Sequence, residues 1–435
     1  MTKYVHDEID NERMLNYQYI QCLNLSDEDI DNLLQKDITE IKEVIGDNYI
    51  KSILYGRGKD LNDRNVWTDD IETRHINALM INKDCINDYY IRDRIRRSIQ
   101  KRVNTLKTGK ISVDGNYQVA IGEPVIQLEN MFGLEPKGLL KSGEFYIEYW
   151  RDLGVDKVAA FRSPMSCKQN ARVMEVCNRD EVVKWYGNFK NIIVFNAWDT
   201  TMAMNGEDFD GDINFTTSNE ILIKGIYDLP TIFCEGKNSR KISNPTKEDF
   251  MKAIKDGFGN KVGSVTNFGS SCYDKISLFE EGSEEYKELD YRIMCIQYLQ
   301  QECIDSAKNG IPPRPIPNHW LNYSSVTLNV DKETGEILDD EEIMKWKEFN
   351  QKVLTEKKPY YFRYIYNVNK EYLNYIKSME INSLRNFRKS IEELISTENK
   401  TEAELDFVKY YEKHMPVSNN PCIVNKIAAK VENVF

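Results

Sequence analysis

The stretch Asn205-Gly206-Glu207-Asp208-Phe209-Asp210-Gly211-Asp212-Ile213-Asn214 decides how the rest of the chain is read. Asp208, Asp210 and Asp212 stand at i, i+2 and i+4, and extended backbone sends side chains at that spacing to one face. Gly206 and Gly211 bracket them, and glycine accepts the φ > 0 turn that draws the carboxylates together. Three like charges this close repel one another unless a cation sits among them. Carboxylate oxygens suit hard ions, and Mg2+ takes only a few while leaving positions open for phosphate oxygens. The pattern points to a Mg2+ site for phosphoryl or nucleotidyl transfer. A plainer reading is an acidic turn on a solvated hairpin. A calcium loop is a third, and it fails, because Ile213 and Asn219 stand where that loop needs Gly and Glu.

The flanks lift the first reading above the others. Asn191-Ile192-Ile193-Val194-Phe195 precedes the acidic stretch as a strand-like run, and Ile213-Asn214-Phe215-Thr216-Thr217 follows with apolar and polar residues alternating. The carboxylates therefore hang between two strands and not on a helix. Further upstream the apolar run Val158-Ala159-Ala160-Phe161 ends on Arg162-Ser163-Pro164-Met165.

Taken in order, Lys157 to Met165, Ile192 to Phe195 and Gly206 to Asp212 resemble the two-barrel RNA polymerases. That superfamily contains the RNA-dependent RNA polymerases of RNA silencing, the large subunits of DNA-dependent RNA polymerase and single-chain phage polymerases. Two further stretches resemble the silencing-type branch. They are Gly263-Ser264-Val265-Thr266-Asn267, and Cys303-Ile304-Asp305-Ser306-Ala307-Lys308-Asn309-Gly310. Motifs in matching order over about two hundred residues are much harder to obtain by chance than one acidic pentapeptide. The resemblance implies an α+β chain with a double-psi β-barrel catalytic domain flanked by helical regions. It maps the Mg2+-binding triad onto Asp208, Asp210 and Asp212. Arg162, Lys261, Asn267 and Lys308 become candidates for contacting nucleic acid or nucleotide, with a structural salt bridge the equal alternative for Arg162. Two departures stand out. Ser166-Cys167 replaces the histidine common after the Arg-x-Pro segment, and no first barrel, with its lysines facing the nucleotide, is legible upstream.

Composition sets outer bounds. The chain has 435 residues, 41% of them hydrophobic and 11% aromatic, which suits two or three globular domains rather than a disordered chain. Its net charge of −12 means that nucleic acid must be met by local basic patches. No apolar run approaches the roughly 20 residues needed to cross a bilayer, and no signal region opens the chain. Nine cysteines without a C-x-x-C pair, and four histidines, argue against zinc and for reduced thiols. A cytoplasmic protein is expected, in the host cytoplasm if the chain is phage-encoded. No Walker-type phosphate loop is present, so an ATPase has no support.

Four regions follow from the text. Residues 1–108 read as helical, with Ser26 capping a helix to about Ile45 and a second helix from about Asn87 to Leu106. The latter carries Arg92, Arg94, Arg96, Arg97, Lys101 and Arg102 beside an apolar stripe of Ile91, Ile95, Ile99, Val103 and Leu106. That positive surface is either a solvated face or a footprint for a nucleic-acid backbone. Residues 109–230 hold short strands punctuated by glycines, as a small barrel requires. Strands are expected at Ile111–Val113, Tyr117–Ile121, Glu144–Tyr149 and Val158–Phe161. Residues 231–317 form a basic and helical region, with a helix from Glu284 to Lys308 striped by Leu289, Ile293, Ile296, Leu299 and Ile304. Pro-rich Ile311 to Pro317 breaks it. Residues 318–435 read as mainly helical, with an aromatic run from Tyr360 to Tyr366 suited to packing or to base stacking.

The expected function is template-directed RNA synthesis by two-metal nucleotidyl transfer, as the catalytic chain or part of a split RNA polymerase. Its partners are an RNA or DNA template, the RNA product and nucleoside triphosphates. A second polymerase chain would supply the first barrel. The motifs favour an RNA template. Two alternatives compete: a nucleic-acid-binding or assembly subunit without chemistry, and a metal-dependent nuclease.

Overall fold

The computed structural model describes residues 11–46, 48–57, 74–196, 204, 207, 209–230, 232, 244, 246–257, 262–309, 311–321, 334, 336, 339–361 and 421–435, with backbone alone at 253–257 and 307–309. Two compact units emerge, Met1–Asp37 with Lys110–Pro359, and Ile38–Gly109 with Tyr360–Phe435. The strands are β1 (Glu12–Met14), β2 (Ser112–Asp114), β3 (Asn116–Gly122), β4 (Glu144–Ile147), β5 (Lys157–Phe161), β6 (Arg172–Val176), β7 (Ile192–Phe195) and β8 (Ile213–Thr217). The helices begin with α1 (Tyr17–Gln21), α2 (Asp27–Ile45), α3 (Tyr49–Gly56), α4 (Arg74–Ile81), α5 (Tyr89–Leu106), α6 (Pro124–Met131) and α7 (Glu148–Asp152). They continue with α8 (Asp180–Tyr186), α9 (Glu220–Gly225), α10 (Lys247–Gly257), α11 (Val262–Ile276), α12 (Glu284–Asn309), α13 (Asp340–Val353) and α14 (Ile423–Val434).

In the first unit, β1 and β2 form an antiparallel ribbon, and the other six strands close a barrel in the order β3-β7-β4-β6-β5-β8. The pairs β3–β7 and β4–β6 run parallel, and the remaining pairs are antiparallel. This is the expected α+β class, with a closed six-stranded barrel consistent with the double-psi architecture. Alternation of side chains across each strand sorts the residues into layers. Phe145, Ile147, Val158, Ala160, Met174, Ile193 and Phe195 meet inside the barrel around Trp150. Tyr146 and Val194, one step out of phase, pack outside with Val182 and Tyr186 of α8.

The expected strand from Glu144 to Tyr149 stops at Ile147. Glu148 turns the chain into α7, where its carboxylate takes Arg151 in an i,i+3 ion pair at 2.9 Å. Strand β6 was not anticipated, although Arg172-Val173-Met174-Glu175-Val176 alternates by burial as a strand should. The Gly263 to Asn267 segment lies within α11. The stripe on α12 ends on Cys303 rather than Ile304, because four residues past Leu299 brings the helix back to the same face. Phe268, Ile293, Ile296 and Trp320 form the core where α11 and α12 pack.

In the second unit, Asp88 caps α5 by accepting from the Tyr90 and Ile91 amides at 2.9 and 3.1 Å. All five residues of the α5 apolar stripe are buried. Tyr361 is buried too, while Phe362 to Tyr366 lie outside the described residues. Among the described residues, no helix is long and apolar enough to cross a membrane.

Candidate functional site

The acidic stretch sits between β7, ending at Phe195, and β8, starting at Ile213. Its last aspartate is held by the barrel itself: the Ala120 amide of β3 donates to the Asp212 carbonyl at 2.9 Å. Gly211, at φ +124°, makes the turn immediately before it. One residue after β5, the buried Arg162 reaches both limbs of this loop. Its Nη2 donates to Asp212 Oδ2 at 2.7 Å and its Nη1 to the Met204 carbonyl at 3.1 Å. The guanidinium thus works as a clamp, and its planar fork is what lets one side chain hold two limbs. Beyond the clamp, Asp210 is exposed.

Phe209 folds back over the barrel rim. A Cβ at Gly122 would stand 2.7 Å from its ring, so the glycine at the end of β3 is what allows that close approach. Below the loop, the buried Asn214 amide donates to Glu207. A polar layer then crosses the barrel interior. Gln118 Nε2 donates to Asn116 Oδ1 at 2.7 Å, Thr216 Oγ1 donates to the same oxygen at 2.8 Å, and Trp150 Nε1 donates to Thr216 Oγ1 at 2.8 Å. These residues were missed from the sequence. The signal was there in polar side chains at the inward positions of β3 and β8, where an apolar core would be the default.

The turn after Arg162 is braced from outside the barrel. Ser163 Oγ donates to Tyr19 Oη at 2.9 Å, and the Met165 amide donates to Gln18 Oε1 at 3.0 Å. Tyr19 stacks on Phe161 at 4.9 Å, and burial pushes its hydroxyl up to about 12. On α11, Gly269 lets the helix lie close: a Cβ there would meet Ile296 Cγ2 at 2.9 Å and Ser166 Oγ at 3.3 Å. Lys168 forms an ion pair with Asp290 of α12 at 3.2 Å. Burial lowers the Lys168 pKa, but Asp290 and Tyr286 outweigh it and the net direction is upward.

The structure thus joins Arg162 directly to Asp212 and places Asp210 two residues away on the same loop. Asn267 is half-buried on α11, two residues before the Gly269 contact with Ser166. Lys308 lies near the end of α12. Asp208 and Lys261 lie outside the described residues. Among the described residues no group of three metal-ligating side chains occurs. The donor chemistry of Asp210 and Asp212 nevertheless fits a hard divalent cation, being oxygen only.

No protein-family model matches this chain, and no curated protein matches it. Among solved structures the chain is similar to the RNA dependent RNA polymerase QDE-1 from Thielavia terrestris, at 14% identity and a TM-score of 0.48. That likeness covers 94% of this chain and 50% of the other, so the chain spans half the length of the structure it matches.

Proposed function

We propose that the chain is a nucleotidyltransferase of the two-barrel RNA polymerase superfamily, extending an RNA strand on a template. The motif order favours an RNA template, with DNA the alternative. The observation that carries this reading is the clamp. A buried arginine spends its fork on fixing both limbs of an acidic loop, while Asp210 stays exposed beside Asp212 at the barrel rim.

Asp208, Asp210 and Asp212 would hold the Mg2+ ions. When bound, these supply acidification of the attacking 3′-hydroxyl and neutralisation of charge on the triphosphate. The chain's own residues do the positioning. Arg162 and the Ala120 amide would fix Asp212 in place against repulsion from its neighbouring carboxylates. Gly122 and Phe209 set where the loop crosses the rim. Asn267 and Lys308 are proposed to contact template or nucleotide from α11 and α12, as is Lys261.

One closed barrel is present among the described residues. The superfamily's reaction uses two, so we infer that a second barrel, bearing lysines, comes from a partner chain or from further sequence. None of the eight described cysteines is in a disulfide, and a cytoplasmic setting is part of the proposal.

The test is primer extension on RNA and DNA templates, with candidate partner chains present. Asp210→Ala is expected to abolish incorporation, by at least about a thousandfold, with an unchanged circular dichroism spectrum. Full incorporation by that variant removes the assignment. Degradation of a labelled strand in place of extension would make the chain a nuclease.

A further inference from the structure

The second unit carries a concentrated positive face that the barrel chemistry does not use. On α5, Tyr90, Arg94, Arg97 and Lys101 follow one another at steps of four, three and four, which lays them in one stripe opposite the buried isoleucines. From first to last the stripe runs about 16 Å at the rise of an α-helix. Tyr89, at 86% exposure, and Tyr90, at 54%, stand at its N-terminal end. Two consecutive tyrosine side chains thus stand open to solvent at one end of a basic stripe.

The charges are held ready and not spent. Arg94 Nε donates to Tyr90 Oη at 3.2 Å, and its guanidinium lies 5.3 Å from the centre of that ring, an arrangement that stiffens both side chains. Arg97 pairs with Asp93 at 2.9 Å, but Arg97 is 72% exposed, and a pair so open to solvent exchanges cheaply for a phosphate. Arg92, Arg96 and Lys101 make no ion pair with any described residue. His75 has its pKa pushed down, first by burial and then by the charge of Arg94. In a chain of net charge −12, six basic residues against one acid on a single helix are a local reversal of sign.

We propose that this face of α5 is a docking surface for single-stranded nucleic acid, outside the unit that contains the barrel. The arginines and lysine take the phosphate backbone, and the exposed tyrosine rings offer stacking platforms to unpaired bases. Charge complementarity fixes the partner as a polyanion. The exposed rings, Tyr89 above all, select an unstacked strand over a duplex, whose bases face inward and leave nothing to stack on. The proposal is independent of whether the acidic loop is catalytic.

The experiment is fluorescence anisotropy of the full chain, without Mg2+ or nucleotides. The probes are labelled RNA and DNA single strands of about 20 nucleotides and the matching duplexes, titrated from roughly 50 to 300 mM salt. The variant Arg94→Gln/Arg97→Gln/Lys101→Gln keeps helix propensity while removing three charges. Its log affinity is expected to fall less steeply with log salt, the slope changing by about 2. Tyr89→Ala is expected to weaken single strands about tenfold and leave duplex binding unchanged. Preference for either sugar supports the proposal and tells which strand is the ligand. An unchanged slope in the triple variant overturns it. So does equal binding of single strand and duplex with Tyr89→Ala indistinguishable from the native chain, which would mark a general polyanion surface.

Discussion

Arg162 contributes through position more than through charge. Buried and bonded to two segments of one loop, it takes a charge-assisted hydrogen bond from Asp212 and another from the Met204 carbonyl when it is removed. Asp212 keeps some solvent contact, which softens the penalty. Arg162→Ala is therefore expected to lower stability by about 2–3 kcal/mol in urea denaturation. Arg162→Lys should recover only part of this, because an ammonium cannot reproduce the two-limbed fork. Equal stability of Lys and Ala variants would mean that Met204 and Asp212 are held by something else. Glu123 offers a pH prediction at the same scale. Burial raises its pKa, against the opposing hydrogen bonds from the Leu139 and Leu140 amides and the Tyr186 hydroxyl. The folded state then holds this proton more tightly than the unfolded chain does. The contribution to stability is full below the usual carboxylate pKa of about 4.3 and is lost as pH rises through the raised value. Glu123→Gln should flatten that part of the stability profile, and an identical profile in both proteins would contradict the assignment.

At the scale of elements, two close approaches set where the site lies. The acidic loop crosses the barrel rim where Phe209 rests on Gly122. Gly122→Ala should cost about 1 kcal/mol more in the native background than in a Phe209→Ala background, a coupling that a double-mutant cycle reads directly. Additivity would show that the ring swings away freely. Helix α11 is drawn against both α12 and the turn after Arg162 through Gly269. Gly269→Val is expected to overpack that junction by about 1–3 kcal/mol, and Ile296→Ala to open a cavity costing about 2–5 kcal/mol. Much of this level was legible in advance. The helices α2, α5 and α12 were visible from caps and stripes, since helical period and capping chemistry are local. Strand β4 was overextended because Glu148 reads equally well as a strand end and as a helix start. Its ion pair with Arg151 makes the choice.

For the whole molecule, the cation that the acidic loop is proposed to hold should act on the folded state alone. Raising Mg2+ to about a hundred times its dissociation constant should then stabilise the chain by about 2.7 kcal/mol, seen as a rise in Tm. Asp210→Ala should lose that response, and a rise that persists in the variant would place the ion elsewhere. By itself, the sequence determined the spacing of the three aspartates, their suspension between two strands, the order of the flanking motifs and the basic stripe of α5. Each depends on side-chain chemistry and on a period of two or of three to four residues. Only the tertiary structure decided the strand order of the closed barrel, the polar layer from Asn116 to Trp150, and the grip of Arg162 on a carboxylate fifty residues away. Those contacts join segments distant in the chain, and no local pattern records which of many possible partners a strand or a buried charge will meet.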